Sequence, residues 1–269
     1  MNKPYWGLWS LLLVALVFFA FLSLWQDGIT VGGLEIKTAS FAQDLGVVDP
    51  ENTNGSGNTD TLKNKKRVSK KTQADDWRAP MDTTAKDILF IGDSMLEGLA
   101  PRLAKYCSKN GHTLVEVIWY SSSTLYWGQS DRLAKLIAKY KPNYIFVCLG
   151  ANELYVPNIK HARRPYLKKM LAEIGDIPYV WIGPPNWDED TGINDLLAQE
   201  TDKGCFYLSA NDHFERSRDG AHPTRASAHK WMDRVVKWLE TSGAHPIKLN
   251  DPGEGIDRAT HIVVYQPPT

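Results

Sequence analysis

The sequence predicts one α/β domain built on a parallel β-sheet with helices on both faces. From Lys86 onwards, short apolar runs alternate with patterns typical of amphipathic helices. The apolar runs are continuous instead of alternating with polar residues, which indicates strands buried on both faces. The 269 residues suffice for one domain of about 150–200 residues with appended segments.

Five strands and five helices follow in order along this domain, which we expect to span residues 86–242. The strands are expected at Ile88–Ile91, Leu114–Trp119, Tyr144–Leu149, Tyr179–Ile182 and Phe206–Leu208. The helices are expected at Met95–Asn110, Gln129–Tyr140, Arg164–Gly175, Asn194–Lys203 and Arg225–Thr241. A tail rich in proline and glycine covers residues 243–269, with a candidate edge strand at His261–Tyr265.

The N-terminal segment predicts a membrane anchor. No charged side chain occurs in the 23 residues of Pro4–Gln26, and a membrane-spanning helix needs about 20 apolar residues. Trp6, Trp9 and Trp25 stand where interfacial tryptophans are common. A cleaved signal peptide is the alternative, but its apolar region is normally about 7–15 residues long. We therefore expect a cytoplasmic stub and one transmembrane helix in residues 1–27.

Residues 28–85 predict a flexible extracytoplasmic linker. Lys3 precedes the apolar span and the first charged residue after it is Asp27, which favours a cytoplasmic N-terminus. From Asp44 the composition turns to Asn, Thr, Gly, Ser, Asp and Lys, which cannot bury a core. The basic run Lys63–Lys71 is interpreted as solvated linker, with contact to anionic envelope polymers as the alternative.

Charge and cysteine content narrow the function classes. The formal net charge is zero, so there is no electrostatic basis for nucleic-acid binding. The three cysteines form no CxxC motif. Cys148 lies inside an apolar run and is expected to be a small buried hydrophobic residue. A disulfide between Cys107 and Cys205 stays open, although their spacing does not favour it.

Polar residues collect where the predicted strands end. Gly92-Asp93-Ser94 follows the first strand, Asn152 follows the third, and Asp219-Gly220-Ala221-His222 follows the fifth. Ligands of parallel sheets bind beyond the carboxyl ends of the strands, so these residues are expected to share one site. Each has a simpler interpretation alone: Ser94 as a helix cap, and the others as local turns.

Together these residues predict nucleophilic catalysis. A serine becomes a nucleophile when a histidine accepts its proton, and a carboxylate fixes the tautomer of that histidine. Asp219 lies three residues before His222 and can reach back to its imidazole. Ser94 at the start of a helix offers its N–H to an anion, and Asn152 can add a side-chain amide.

Three motifs resemble sequence blocks of the SGNH (GDSL-type) hydrolase superfamily: "FIGDSMLEG", "CLGANE" and "RDGAHPT". The first of them most resembles a membrane-tethered bacterial envelope branch. The resemblance implies a flavodoxin-like three-layer α/β/α sandwich and acyl-ester chemistry without metal or cofactor. It also implies Ser94 as nucleophile, His222 as general base and acid, Asp219 as its orienting partner, and Asn152 with the Ser94 N–H as oxyanion hole. In such a bacterium the anchor would lie in the inner membrane and the domain in the periplasm.

Two positions depart from the family pattern. The family usually places a glycine oxyanion donor after the second strand, but here the stretch reads "SSSTLYWG". Gly128 is one candidate for this third donor, and the backbone N–H groups of Ser123, Thr124 and Leu125 are the others. Glu153 stands where the third block of the family usually has aspartate. The residue at that position generally supports the site and is not catalytic.

Aromatic residues near the strand ends suggest a platform for sugar rings. Tyr120 and the four residues that we single out for substrate binding lie in these loops: Tyr126, Trp127, Tyr155 and Trp187. The alternative is that they pack beneath the loops. His161, Arg163 and Arg164 could meet an anionic substrate, although a solvated helix start is the simpler interpretation.

The sequence therefore favours a serine esterase acting on O-acetyl groups of an envelope carbohydrate. The first alternative is an O-acetyltransferase that moves acetyl to a surface polysaccharide or peptidoglycan, with a multipass membrane O-acyltransferase as partner, as the family resemblance implies. A non-catalytic carbohydrate-binding subunit is the second alternative. A lipid esterase is the third, but it would need an apolar acyl tunnel.

Overall fold

The computed structural model describes residues 77–268 and, nearer the N-terminus, two short strands. Strand β1 (Ile29–Val31) pairs antiparallel with β2 (Leu34–Ile36) within the predicted linker. The predicted transmembrane segment Pro4–Gln26 and the basic run Lys63–Lys71 lie outside the described residues. Among the helices that are described, none combines the length and apolar character needed to cross a bilayer.

The domain is built on a parallel six-stranded sheet, as predicted. Its strands are β3 (Asp87–Gly92), β4 (Thr113–Trp119), β5 (Tyr144–Cys148), β6 (Tyr179–Ile182), β7 (Phe206–Tyr207) and β8 (His261–Tyr265). They lie in the order β7-β6-β5-β3-β4-β8, and every neighbouring pair is parallel. This is the flavodoxin-like order, with β8 added as an edge strand beside β4.

Six helices surround the sheet. They are α1 (Leu96–Asn110), α2 (Thr124–Gln129), α3 (Arg132–Tyr140), α4 (Ile159–Ile174), α5 (Ile193–Glu200) and α6 (Arg225–Ser242). The prediction of one helix at Gln129–Tyr140 is wrong, because Ser130 is extended and its N–H caps α2 on the carbonyls of Tyr126 and Trp127. Helix α4 also begins five residues before the predicted Arg164.

Two apolar clusters, one on each face of the sheet, give the domain its three layers. Helices α1 and α6 bury Leu99, Leu103 and Trp231 against one face. Helices α2 to α5 cover the other face, with Trp127 and Leu167 among the fully buried residues. Cys148 is buried as predicted, and Cys107 and Cys205 are buried free thiols, so no disulfide joins them.

The packed chain extends past the expected limits of 86 and 242. The N–H of Ala79 donates to the carbonyl of Ala244 at 2.8 Å, and that of Asp82 donates to Pro246 at 2.8 Å. Ile247 is buried in the first cluster. The end of the predicted linker and the start of the predicted tail are therefore paired with each other at the sheet's amino-terminal edge.

Candidate active site

Ser94 lies at the turn from β3 into α1. The turn requires a glycine at position 92, because there is no room for a side chain there. A Cβ on Gly92 would stand 2.2 Å from Leu96 Cδ1 and 2.4 Å from the carbonyl oxygen of Cys148. Asp93 is fully buried after it, and its Oδ1 accepts the N–H of Met95 at 2.9 Å. This local bond closes the turn and leaves Ser94 half-buried above the sheet.

The structure brings Ser94, His222 and Asp219 together in one hydrogen-bonded chain. Nε2 of His222 lies 2.8 Å from Oγ of Ser94, and Nδ1 lies 2.7 Å from Oδ2 of Asp219. The other oxygen of Asp219 accepts the N–H groups of Ala221 and His222 at 2.9 and 3.0 Å. Because Asp219 is an acceptor, Nδ1 carries the ring proton and Nε2 is free to accept the serine proton.

The same hydrogen bonds set the charge of Asp219. Backbone N–H donors and the imidazole lower the pKa of this carboxyl to about 2, although its side chain is half exposed. The carboxylate is therefore ionised across the neutral range. An ionised partner stabilises the imidazolium that forms when His222 takes the proton.

Arg216 holds the His222 loop in place, a role that sequence analysis missed. Its Nη1 donates to the carbonyl of Ala221 at 2.6 Å, and its Nη2 donates to that of Asn186 at 2.9 Å. The N–H of Ser217 donates to the carbonyl of His222 at 2.8 Å. The loop that carries the base is thus tied to the loop after β6.

The two predicted oxyanion donors, the Ser94 N–H and the Asn152 side-chain amide, differ in whether they already have a hydrogen-bond acceptor. Within residues 77–268 the Ser94 N–H meets no acceptor, as an oxyanion donor requires. Nδ2 of Asn152 donates to the carbonyl of Ser122 at 2.9 Å and to Oδ2 of Asp93 at 3.3 Å. Both amide hydrogens of Asn152 therefore have an acceptor in the free protein.

Gly128 does not belong to this site, and its predicted role as an oxyanion donor is replaced by a packing role. It lies inside α2, where a Cβ would stand 2.5 Å from the Cβ and 2.7 Å from the Cα of Tyr166 on α4. Glycine is present because two helices touch there. The Thr124 N–H is bound to Glu153, which leaves Ser123 and Leu125 as the candidates for the third donor.

Glu153 anchors the loop that precedes α2. Its carboxylate is fully buried and accepts the N–H of Thr124 at 2.8 Å and the Thr124 hydroxyl at 2.8 Å. Nε of Arg163 donates to it at 2.7 Å. Arg163 thus serves the fold at this point, and Arg164 pairs with Glu200 on α5 at 2.7 Å, while His161 is exposed.

A cavity of about 890 Å³ opens beside Ser94 and His222. Its walls come from the first turns of α1 and α6, from β4 and β8, and from the segment Ile256–Arg258. The place of the C-terminal segment at the site is not predicted by the sequence, because the proline- and glycine-rich tail carries no motif typical of a cavity wall. Of the five loop aromatics, only Tyr120 lines this cavity.

The four aromatics predicted to bind substrate lie elsewhere. Trp127 is fully buried, and its Nε1 donates to Oγ of Ser122 at 3.0 Å. The prediction that Trp127 binds substrate is therefore wrong, and the residue packs in the core. Tyr126 is half-buried against Trp119. Tyr155 and Trp187 form an edge-to-face pair 6.3 Å apart on the loops after β5 and β6. Nε1 of Trp187 donates to the carbonyl of Ala151, next to Asn152, at 2.9 Å, but neither aromatic lines the cavity.

Comparison with known proteins gives only distant structural likenesses. No family model and no curated protein matches the chain.

Similar folds occur in TesA, with 20% identity, a TM-score of 0.46, and 58% of this chain and 98% of that one covered. The esterase EstA from Pseudoalteromonas sp. has 15% identity and a TM-score of 0.44, with 57% and 96% covered. The lipase/acylhydrolase from Enterococcus faecalis has 16% identity and a TM-score of 0.43, with 57% and 95% covered. Likenesses of this degree assign no activity to this chain.

Proposed function

We propose that the protein is a serine-dependent acyl-ester hydrolase of the SGNH type. The observation that carries the proposal is the chain of short hydrogen bonds from Ser94 through His222 to Asp219, at the mouth of a large cavity. These are the three roles that acyl transfer requires: nucleophile, base and orienting carboxylate. The motifs around them resemble those of SGNH hydrolases.

The reaction proceeds in two steps. Oγ of Ser94 attacks the ester carbonyl carbon, and its proton passes to Nε2 of His222. The tetrahedral oxyanion collapses to an acyl-serine, and the leaving alkoxide takes the proton from the imidazolium. Water then attacks the acyl-serine by the same sequence and releases the carboxylic acid. The Ser94 N–H is aimed at the oxyanion, and Asn152 joins it by exchanging its longer bond, to Asp93, for one to the oxyanion.

The substrate proposed is an O-acetylated carbohydrate of the cell envelope, reached by a domain held at the inner membrane through residues 1–27. If a sugar hydroxyl replaces water in the second step, the same acyl-serine gives an O-acetyltransferase. The multipass acyltransferase partner belongs to that alternative. The half-exposed His222 and the wide cavity admit either acceptor.

Ester hydrolysis by the purified full-length chain in mild detergent tests the proposal. We expect turnover of 4-nitrophenyl acetate, and an acyl adduct on the Ser94 peptide in rapidly quenched samples. Ser94→Ala should abolish both, whereas Ser121→Ala, a second serine at the same cavity, should retain activity. Absence of turnover and of an acyl adduct in the wild-type protein would sink the proposal.

A further inference from the structure

Glu116 is a buried acid that the reaction described above does not use. It lies in the middle of β4, opposite Phe90 of β3 and Ile262 of β8. The residue is only 5% exposed, and its carboxyl has no hydrogen-bond partner within the part of the chain from 77 to 268. Its neighbours on the same face of the strand, Leu114 and Ile118, belong to the core.

The Glu116 side chain lines the cavity beside Ser94 and His222. Its carboxyl oxygens are not fully enclosed and open into the cavity, while the burial of the rest of the side chain disfavours the ionised form. Among residues 77–268, no hydrogen bond or ion pair assigns this acid a role in the fold. A ligand in the cavity that donates a hydrogen bond would satisfy it.

Two further polar groups are fixed beside Glu116. The hydroxyl of Tyr120, at the end of β4, donates to the carboxylate of Glu97, in the first turn of α1. Both line the cavity, and Glu97 adds to the negative potential at Glu116. This side of the cavity therefore offers several hydrogen-bond acceptors in fixed positions.

Part of the rest of the wall is apolar. It is formed by Met95, Pro101, Ile118, Ala228, Ile256 and Ile262. A volume of about 890 Å³ far exceeds an acetyl group and lies within the range of about 300–1,000 Å³ for small-molecule sites. The space is thus suited to the alcohol part of an ester.

We propose that this cavity binds the sugar ring of an acetylated carbohydrate, and that Glu116 determines specificity by accepting a hydrogen bond from a ring hydroxyl. The inference rests on the proposed hydrolase function and assigns the part of the site that recognises its substrate. A sugar ring combines C–H faces, which match the apolar wall, with hydroxyl donors, which match Glu116 and Glu97. An alkyl chain would leave Glu116 without a hydrogen-bond donor, and Arg225 and Arg258 on the same cavity offset part of its negative charge.

Two kinds of acetate ester, with and without a sugar ring, separate these cases. Methyl 6-O-acetylglucopyranoside, with its mannose and N-acetylglucosamine counterparts, carries hydroxyls on a six-membered ring. Cyclohexylmethyl acetate has a six-membered carbon ring and the same primary acetate, without the ring oxygen or the hydroxyls. We expect the full-length protein to prefer a sugar ester by kcat/KM, and Glu116→Leu to lower that preference about 10- to 150-fold, as for loss of a hydrogen bond to a charged group. Glu116→Gln keeps an acceptor and should retain most of the preference.

An unchanged ratio of the two kcat/KM values in Glu116→Leu would overturn the inference, as would an equal fall for both esters. A preference for acetylcholine that is lost in Glu116→Leu would overturn the sugar assignment. Thermal unfolding controls for a structural role, because Glu116→Leu should unfold no earlier than the wild type.

A binding measurement separates this inference from the hydrolase proposal. Methyl glucoside, methyl mannoside and methyl N-acetylglucosaminide are titrated into Ser94→Ala protein and followed by NMR. Binding of one of them that weakens about 10-fold or more with the added Glu116→Leu change supports the subsite, even if the wild type hydrolyses no ester. Absence of sugar binding together with absence of sugar preference overturns it, even if simple esters are hydrolysed.

Discussion

Asp219→Asn is expected to lower kcat about 10³- to 10⁴-fold without unfolding the protein. In the native site one carboxylate oxygen accepts Nδ1–H of His222 at 2.7 Å, and the other accepts the N–H groups of Ala221 and His222. Asparagine has a single acceptor oxygen. The two backbone donors hold that oxygen, so the amide NH₂ faces Nδ1.

An imidazole that meets a donor at Nδ1 must accept there and carry its proton on Nε2. Nε2 then no longer accepts the proton of Ser94, and the general base is lost. In a serine protease the equivalent change costs about 10⁴ in kcat. The Asp219 side chain is 50% exposed, so water competes with the amide, which sets the lower end of the range at about 10³.

Initial rates on 4-nitrophenyl acetate, with circular dichroism as a check on folding, measure this effect. Asp188→Asn, a change at an exposed loop aspartate outside the cavity, is the matched control and should leave kcat unchanged. If Asp219→Asn keeps more than a tenth of the wild-type kcat while Ser94→Ala is inactive, the tautomer argument is refuted.

Three further predictions concern stability. Glu153→Gln should lower the free energy of unfolding in urea by about 3 kcal/mol, because it removes the fully buried charge partner of Arg163, whose side chain is only 16% exposed. Asp131→Asn, in an exposed ion pair, should lower it by less than about 1 kcal/mol. Gly128→Ala should lower the free energy of unfolding by about 1–3 kcal/mol, because the added methyl group overpacks against Tyr166. Equal midpoints of urea unfolding for the variant and the wild type would contradict the close contact between the two helices. Burial raises the pKa of Glu116 from 4.5 to about 7, so ionisation destabilises the folded state as pH rises through that interval. Glu116→Leu should therefore raise the free energy of unfolding by about 1–3 kcal/mol over the wild type at pH 7, and by less at pH 4. An equal difference in unfolding free energy at the two pH values would contradict this prediction.

The sequence predicted the sheet and the meeting of Ser94 with His222, because both depend on local patterns and one general rule. Continuous apolar runs identify parallel strands, and the carboxyl ends of such strands converge. Asp219 and His222 are three residues apart in one turn, so their contact needs no knowledge of distant packing.

What the sequence could not predict depends on contacts between distant elements. Trp127 and Gly128 belong to a six-residue helix, too short to show a periodic apolar face, and their burial comes from packing against α4. The cavity wall at Ile256–Arg258 depends on β8 pairing with β4, more than 130 residues earlier in the chain, and parallel pairing leaves no local signal. Glu116 sits inside an apolar run, where a single acid cannot be distinguished from a solvent-facing position.

Three of the acids near the serine, Asp219, Asp93 and Glu116, differ in charge because their surroundings differ. Asp219 is exposed and holds three hydrogen-bond donors, which lower its pKa to about 2. Asp93 and Glu116 are buried, and desolvation raises the pKa of each to about 7. Asp219 therefore stays ionised throughout the range in which the other two titrate, and His222 keeps its orientation there. Protonation of the other two acids acts on the turn beneath Ser94 and on the cavity, while the carboxylate that orients the base keeps its charge.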